Sequence, residues 1–335
     1  MFLTKKVSIL TMLISIVVAL SSAFTVAKFL PAKPAIHVPS GPKCPETMEQ
    51  IRLKNYELVH PLILSDISSE SGVLLPMRNK VDNYIAQVKS TQQAENVSVY
   101  IRKLNDGSWF SINPNSTYNP ASMSKIIYIL VFLKEAETNP GVLNKKIFFA
   151  QHFSGGNSAN IVDFKLSENS YYTVRDLLTY MIKYSDNDAA LLLSQNMNTR
   201  IYEQLFVDLN IPLPDPYKEY FITIRDFGKF FRVLYSATYV RADLAEYGLK
   251  LLTLSTFSKG IKAGIDPSVP VAHKFGERII GAKAQLHEFG IVFVNNSPYL
   301  IGVMTSGSNL DQLTQIVAEI SRIVYTEYTS IYSNI

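Results

Sequence analysis

Apolar residues recur at helical spacing between residues 77 and 92, where Met77, Val81, Tyr84, Ile85 and Val88 share one face. That spacing predicts a helix. Val97–Leu104 then alternates as a strand. Asn105-Asp106-Gly107 reads as a hairpin turn, and Ser108–Ile112 as the returning strand. The stretch 118–255 is mostly helical in pattern. Its clearest helix is Thr173–Tyr184, with Val174, Leu177, Leu178, Met181 and Ile182 as the apolar stripe. Thr173 can cap it, with Asp176 in the first turn. Strand patterns return at Val269–Ile279, Gln285–Asn295 and Pro298–Thr305. A last amphipathic helix follows from about Leu310, with Asn309 as its cap.

Short links between neighbouring strands make them antiparallel. The order predicts an α/β protein of the α+β type: a five-stranded antiparallel sheet, N- and C-terminal helices on one face, and an all-helical lobe on the other. A groove between lobes is the expected place for a site.

Ahead of this body, Lys5 and Lys6 precede an uncharged stretch from Val7 to Ala27. As a helix it would span roughly 31 Å, about one hydrocarbon core. The lysines predict a cytoplasmic N-terminus and an exported body. Ser21-Ser22-Ala23 also suits cleavage of a signal peptide, but the apolar run continues past it, which favours an uncleaved membrane anchor. Five prolines between residues 31 and 45 predict a stiff spacer. The expected organisation is residues 1–30 as anchor or signal peptide, 31–76 as proline-rich spacer and lead-in, and 77–335 as the folded domain. The localisation that follows is the cell membrane, with the domain outside the cytoplasm, or secretion if the segment is cleaved.

Composition narrows the function. The 335 residues are 47% hydrophobic and 18% charged, which excludes a disordered or collagen-like chain. The formal net charge is +4, and Lys5, Lys6 and Lys28 supply three of those charges in an acid-free N-terminus. The body is therefore nearly neutral and has no basic footprint for nucleic acid. The single cysteine, Cys44, lies in the spacer, so no internal disulfide can form. The five histidines show no metal-ligand spacing. No metal and no cofactor is expected.

Candidate chemistry begins at Asn119-Pro120, just before Ser122-Met123-Ser124-Lys125 and a long apolar run. Ser122 and Lys125 fall on one helix face. A lysine beside so apolar a run loses basicity on burial, and a neutral amine beside a hydroxyl is a base beside a nucleophile. Taken alone, the pair reads first as a capping serine with a snorkelling lysine. The same spacing recurs at Ser40–Lys43 in the spacer, where no helix can form. Two further motifs follow in the chain. Ser185-Asp186-Asn187 lies between helical stretches, and Lys274-Phe275-Gly276 lies on a strand. Each alone has a bland reading, as helix-capping residues and as an edge-strand lysine.

Together, and in this order, the three motifs resemble the active-site set of the penicillin-recognising serine hydrolases, class A β-lactamases among them. The stretches from His287 and from Tyr299 resemble that family's last two strands, and the resemblance covers about 77–330. It implies that Ser122 is the acylated nucleophile, Lys125 its general base and Ser185 a proton relay to the leaving nitrogen. It also implies that Asn187 binds a substrate amide and helps hold Lys125, and that Lys274 and Gly276 belong to the substrate-binding strand, with Lys274 attracting a substrate carboxylate. The backbone N–H groups of Ser122 and Glu277 would form the oxyanion hole. Two departures stand out. Phe275 replaces the family's threonine and removes a hydroxyl that helps bind the carboxylate. The family's deacylating glutamate has no clear counterpart; Glu219, in a loop with Pro212, Pro214 and Pro216, is the one nominee.

The resemblance implies a β-lactamase-like serine hydrolase forming an acyl-enzyme at Ser122 with β-lactams or related amides, and the missing glutamate implies slow deacylation. The expected partners are a small-molecule or peptide substrate and, through the N-terminal helix, a membrane. A cell-wall D,D-peptidase or esterase, or a non-catalytic penicillin-binding-like module, are the alternatives.

Overall fold

The computed structural model describes residues 48–54, 56–153, 165–294 and 296–332. The apolar stretch Val7–Ala27, the prolines up to Pro45 and Cys44 lie outside them. No helix among the described residues is long and apolar enough to cross a membrane.

Eleven strands and eight α-helices order the described residues. The strands are β1 (Met48–Arg52), β2 (Leu62–Ile67), β3 (Asn96–Lys103), β4 (Trp109–Ile112), β5 (Thr117–Tyr118), β6 (Lys146–Phe149), β7 (Ser170–Thr173), β8 (Ile222–Thr223), β9 (Val271–Ile280), β10 (Lys283–Val292) and β11 (Tyr299–Gly307). The helices are α1 (Leu75–Ser90), α2 (Lys125–Ala136), α3 (Val174–Lys183), α4 (Asn187–Asn196), α5 (Thr199–Asp208), α6 (Ile224–Tyr235), α7 (Ala242–Thr253) and α8 (Leu310–Tyr332).

Five strands form one antiparallel sheet in the order β4-β3-β11-β10-β9, as the sequence predicts. Side-chain alternation splits its two faces between two cores. Val97, Val99 and Ile101 of β3 and Ile301 and Val303 of β11 join Met77, Val81, Ile85 and Val88 of α1 and Ile316, Ile320 and Val324 of α8. Tyr100, Leu300, Met304, Phe289 and Ile291 face the helical lobe. There Phe227 and Phe231 of α6 pack on Phe289, with ring centroids 5.0 and 5.8 Å apart. Each fully buried phenylalanine contributes roughly 1.5–3 kcal/mol.

Helix α2 runs through the centre of the lobe. Ile126, Ile127, Ile129, Leu130, Val131, Phe132 and Leu133 are all buried, so it has no solvent face through its middle. Helix α3 starts with a capping box. Thr173 Oγ1 accepts from the Asp176 N–H at 3.1 Å, and the Asp176 carboxylate accepts from the Thr173 N–H at 2.9 Å.

Two differences from the sequence reading have physical causes. The first helix begins at Leu75 rather than 77, because Pro76 in its first turn needs no N–H partner there. The stretch read as spacer and lead-in holds the antiparallel pair β1–β2 from Met48 onward, with Ile63 and Leu64 buried. Asp66 of β2 accepts from Arg102 Nη1 at 2.6 Å and Arg232 Nη1 at 2.9 Å, and both guanidinium groups also bond Ser65 O. Those arginines hold the Asp66 carboxyl below its ordinary value despite burial, which acts the other way. Strand β2 is thus tied to β3 and α6 by a pairing that no local pattern announces.

Candidate active site

Ser122 sits in a single 3₁₀ turn, Ala121–Ser124, and α2 proper begins at Lys125. The sequence reading placed Ser122 inside the helix; the turn ahead of it is tighter. Asn119 Oδ1 accepts the Ala121 N–H at 2.9 Å, and Met123 N–H bonds Pro120 O at 3.0 Å. Ala121 is left-handed, with φ of 48°. A side-chain-bearing residue held there costs on the order of 1–3 kcal/mol, which the surrounding structure must impose. His287, fully buried on β10, hydrogen-bonds the Asn119 main chain beneath this turn, and its Nδ1 accepts the Thr305 N–H at 3.1 Å. Burial drives its pKa down to about 3, so the ring is a neutral, fixed prop.

The link from α3 to α4 brings the second motif to the first. Ser185 is also left-handed, with φ of 53°. That bend points both its carbonyl and its hydroxyl at Lys125. Lys125 Nζ donates to Ser185 O at 2.5 Å and to Asn187 Oδ1 at 2.8 Å, and lies 3.2 Å from Ser185 Oγ. Asn187 is the first residue of α4, and Asp186 caps that helix by accepting the Ala189 N–H at 2.7 Å. Lys125 is buried, and burial pulls its pKa from 10.5 to about 7, with the Asp186 carboxylate acting weakly in the opposite direction. Asp186 is itself pushed up by burial.

The third motif lies on β9, the free edge of the sheet. Lys274 Nζ donates to Ser185 Oγ at 3.0 Å and to Phe275 O at 2.7 Å. One hydroxyl therefore stands between two buried amines. Gly276 packs against the turn that carries Ser122. A Cβ there would lie 2.6 Å from Pro120 O, 2.9 Å from Met123 N and 3.1 Å from Ser122 N, so only glycine lets the strand come this close. Phe275 O turns away from β10 to meet Lys274. By alternation, the main-chain groups of Glu277 point the same way as those of Phe275.

Lys125, Ser185, Asn187 and Lys274 thus join in one hydrogen-bond network, and Gly276 lies against the turn that carries Ser122. Glu219 lies elsewhere in kind: Arg278 of β9 grips both its oxygens, at 2.5 and 3.2 Å, in an exposed ion pair that lowers its pKa. Sequence reasoning missed His287 as the prop of the Ser122 turn and Phe257 as the partner of Phe275. Asn119 and His287 meet only through the register of β10, which no spacing in the sequence encodes. Among the described residues, no group of three or more His, Cys, Asp or Glu side chains gathers as a metal site.

A family model described as the β-lactamase enzyme family matches residues 77–328. The chain belongs to that family. Its fold is that of class A β-lactamases. A PBP-A mutant solved as an acyl-enzyme complex with penicillin G is 18% identical, with a TM-score of 0.62 over 77% of this chain and 97% of that one. A variant of the last common ancestor of Gram-negative class A β-lactamases is 18% identical, with a TM-score of 0.64 over 76% of this chain and 100% of that one. A β-lactamase from Chitinophaga pinensis gives 18% and 0.64, over 76% and 99%. No curated protein matches the sequence. The family and fold make this chain a serine hydrolase of the β-lactamase type.

Proposed function

We propose that Ser122 Oγ attacks a β-lactam or related amide and is acylated by it. The observation that carries this reading is the Lys125 amine, buried and with a pKa near 7, one turn from a serine at a helix start. Half of it is neutral at pH 7, and a neutral amine can take the Ser122 proton as the Oγ–C bond forms. The developing oxyanion is met by the N–H groups of Ser122 and Glu277. Lys125 then returns a proton to Ser185 Oγ, while Ser185 passes its own to the leaving nitrogen as the C–N bond breaks. The net change is one proton moved from Ser122 to the leaving group. Asn187 positions Lys125 through Oδ1, and its side-chain amide is the substrate-binding group of this reading.

Deacylation is the slow step in this reading, because Glu219 is committed to Arg278. The same tie favours, as a second reading, acyl transfer to an acceptor other than water, as in a cell-wall peptidase or esterase. The membrane tether rests on the pattern from Lys5 to Ala27 alone, and cell fractionation tests it. Intact mass after exposure to penicillin G and to a fluorophosphonate tests the nucleophile. One adduct per chain is expected, lost in Ser122→Ala. An adduct that persists in that variant would place the nucleophile elsewhere.

A further inference from the structure

The Lys274 amine faces no open space. Its side chain is fully buried, its hydrogen bonds run to Ser185 Oγ and Phe275 O, and Nζ lies 4.2 Å from the centroid of the Phe275 ring. That ring is fully buried too. It stacks on Phe257 with centroids 4.1 Å apart and 15° between planes. Phe257 follows α7, so the chain after α7 presses an aromatic wall onto the edge of β9. The pair continues into the apolar core with Ile261 and Leu286. A carboxylate reaching for Nζ would have to lift one ring off the other. It would also lose water against aromatic faces, which carry the negative end of the quadrupole. Burial favours the uncharged amine, so the Coulomb attraction that would repay this is weak.

We propose that the Phe275–Phe257 stack closes the Lys274 amine to substrate, so that this site takes acyl donors with no carboxylate beside the scissile bond: neutral lactams, amides and esters. Lys274 then serves as a positioning residue for Ser185 rather than as an anion anchor. The acyl-donor part rests on the reading of Ser122 as nucleophile. The closure itself does not. Penicillins, which carry that carboxylate, would label Ser122 more slowly than neutral probes of equal reactivity.

Binding without chemistry separates the two. In the full chain bearing Ser122→Ala, fluorine NMR titration compares trifluoromethyl-phenylacetylglycine with its methyl ester. The ester should bind at least as well as the acid. Adding Phe275→Thr should move the acid-to-ester ratio about tenfold toward the acid, the size of one gained polar contact. Should Phe275→Thr fail to fold, Phe257→Ala opens the same wall from the other side and is read the same way. An acid preferred before the wall is opened overturns the proposal, and so does a ratio that neither variant moves. Fluorophosphonate labelling of the unaltered chain reports on Ser122 separately. Its failure would remove the acyl-enzyme reading and leave the closed wall standing.

Discussion

Replacing Lys125 by Met probes the buried amine through its pH dependence. The amine titrates at about 7 in the folded chain against an ordinary 10.5. That gap is worth about 5 kcal/mol, and full burial leaves little solvent to screen it. Between pH 7 and 10.5 the unfolded chain holds a proton that the folded chain has released. Wild-type stability therefore climbs with pH across that window and is lowest, and level, below about 7. From pH 7 to 9 the climb is about 2 kcal/mol. Met has no proton to lose and shows no such climb. It also leaves Ser185 O and Asn187 Oδ1 without their donor, at ~1–3 kcal/mol each, but that cost does not vary with pH. The two effects nearly cancel at pH 7, where Lys125→Met should melt within a few degrees of wild type. At pH 9 the variant should fall about 2 kcal/mol further behind. Lys274, whose pKa the Lys125 charge lowers, reinforces the sign. Losing that charge raises the Lys274 pKa and shrinks the variant's remaining slope. Urea unfolding at pH 6, 7 and 9 measures this. A gap between the two proteins that is the same at pH 7 and 9 would refute the buried, uncharged amine. Acylation should fall by ~10²–10⁴ in the same variant.

Other expectations follow from the geometry. The wild-type acylation rate should rise with pH through a midpoint near 7, as Lys125 loses its proton; a flat profile from pH 5 to 9 would count against it as base. Gly276→Ala puts a Cβ 2.6 Å from Pro120 O, so acylation should collapse with a stability loss of about 1–3 kcal/mol, read by labelling and melting. Asp66→Ala should cost about 3–5 kcal/mol by leaving Arg102 and Arg232 buried without their carboxylate, while acylation of the folded protein is unchanged. In wild type the depressed Asp66 carboxyl gives stability that is full above its free value of 3.8 and lost as pH falls through its lower folded value. Glu219→Gln should leave acylation and acyl-enzyme lifetime within about twofold of wild type. Arrested deacylation with acylation intact would instead make Glu219 the base.

Local pattern carries the sheet and the terminal helices well, because each has a period of its own: alternation in Val97–Leu104, a 3.6-residue stripe in 173–184. It carries Ser122, Lys125, Ser185, Asn187 and Lys274 only as a set, since each also suits a cap or an edge. What no pattern carries is pairing at long range. Leu62-Ile63-Leu64 is too short to announce a strand, and the arginines that fix it, Arg102 and Arg232, come from distant elements. Phe275 reads in sequence as a missing hydroxyl. In the fold it is a filled space, because Phe257 arrives beside it from the end of α7.

The site is costly for the fold in ways that mostly press toward one chemical state. Lys125 begins α2, where the positive end of the helix disfavours an ammonium. The apolar body of the same helix strips it of water, and any charge left on it pushes the neighbouring Lys274, which shares Ser185 Oγ, toward neutrality. The Asp186 carboxylate and the acceptors Ser185 O and Asn187 Oδ1 oppose, and burial weakens that carboxylate in turn. The same helix end that disfavours a cation at Lys125 favours an oxyanion at Ser122. On the proposed reading one element would thus serve both the base and the oxyanion, and the left-handed residues Ala121 and Ser185 lie in the turns that carry the two serines. Such strain persists because the cores on both faces of the sheet over-determine the turns, so the reactivity proposed for Ser122 would be a property of the packed lobe as much as of the motif.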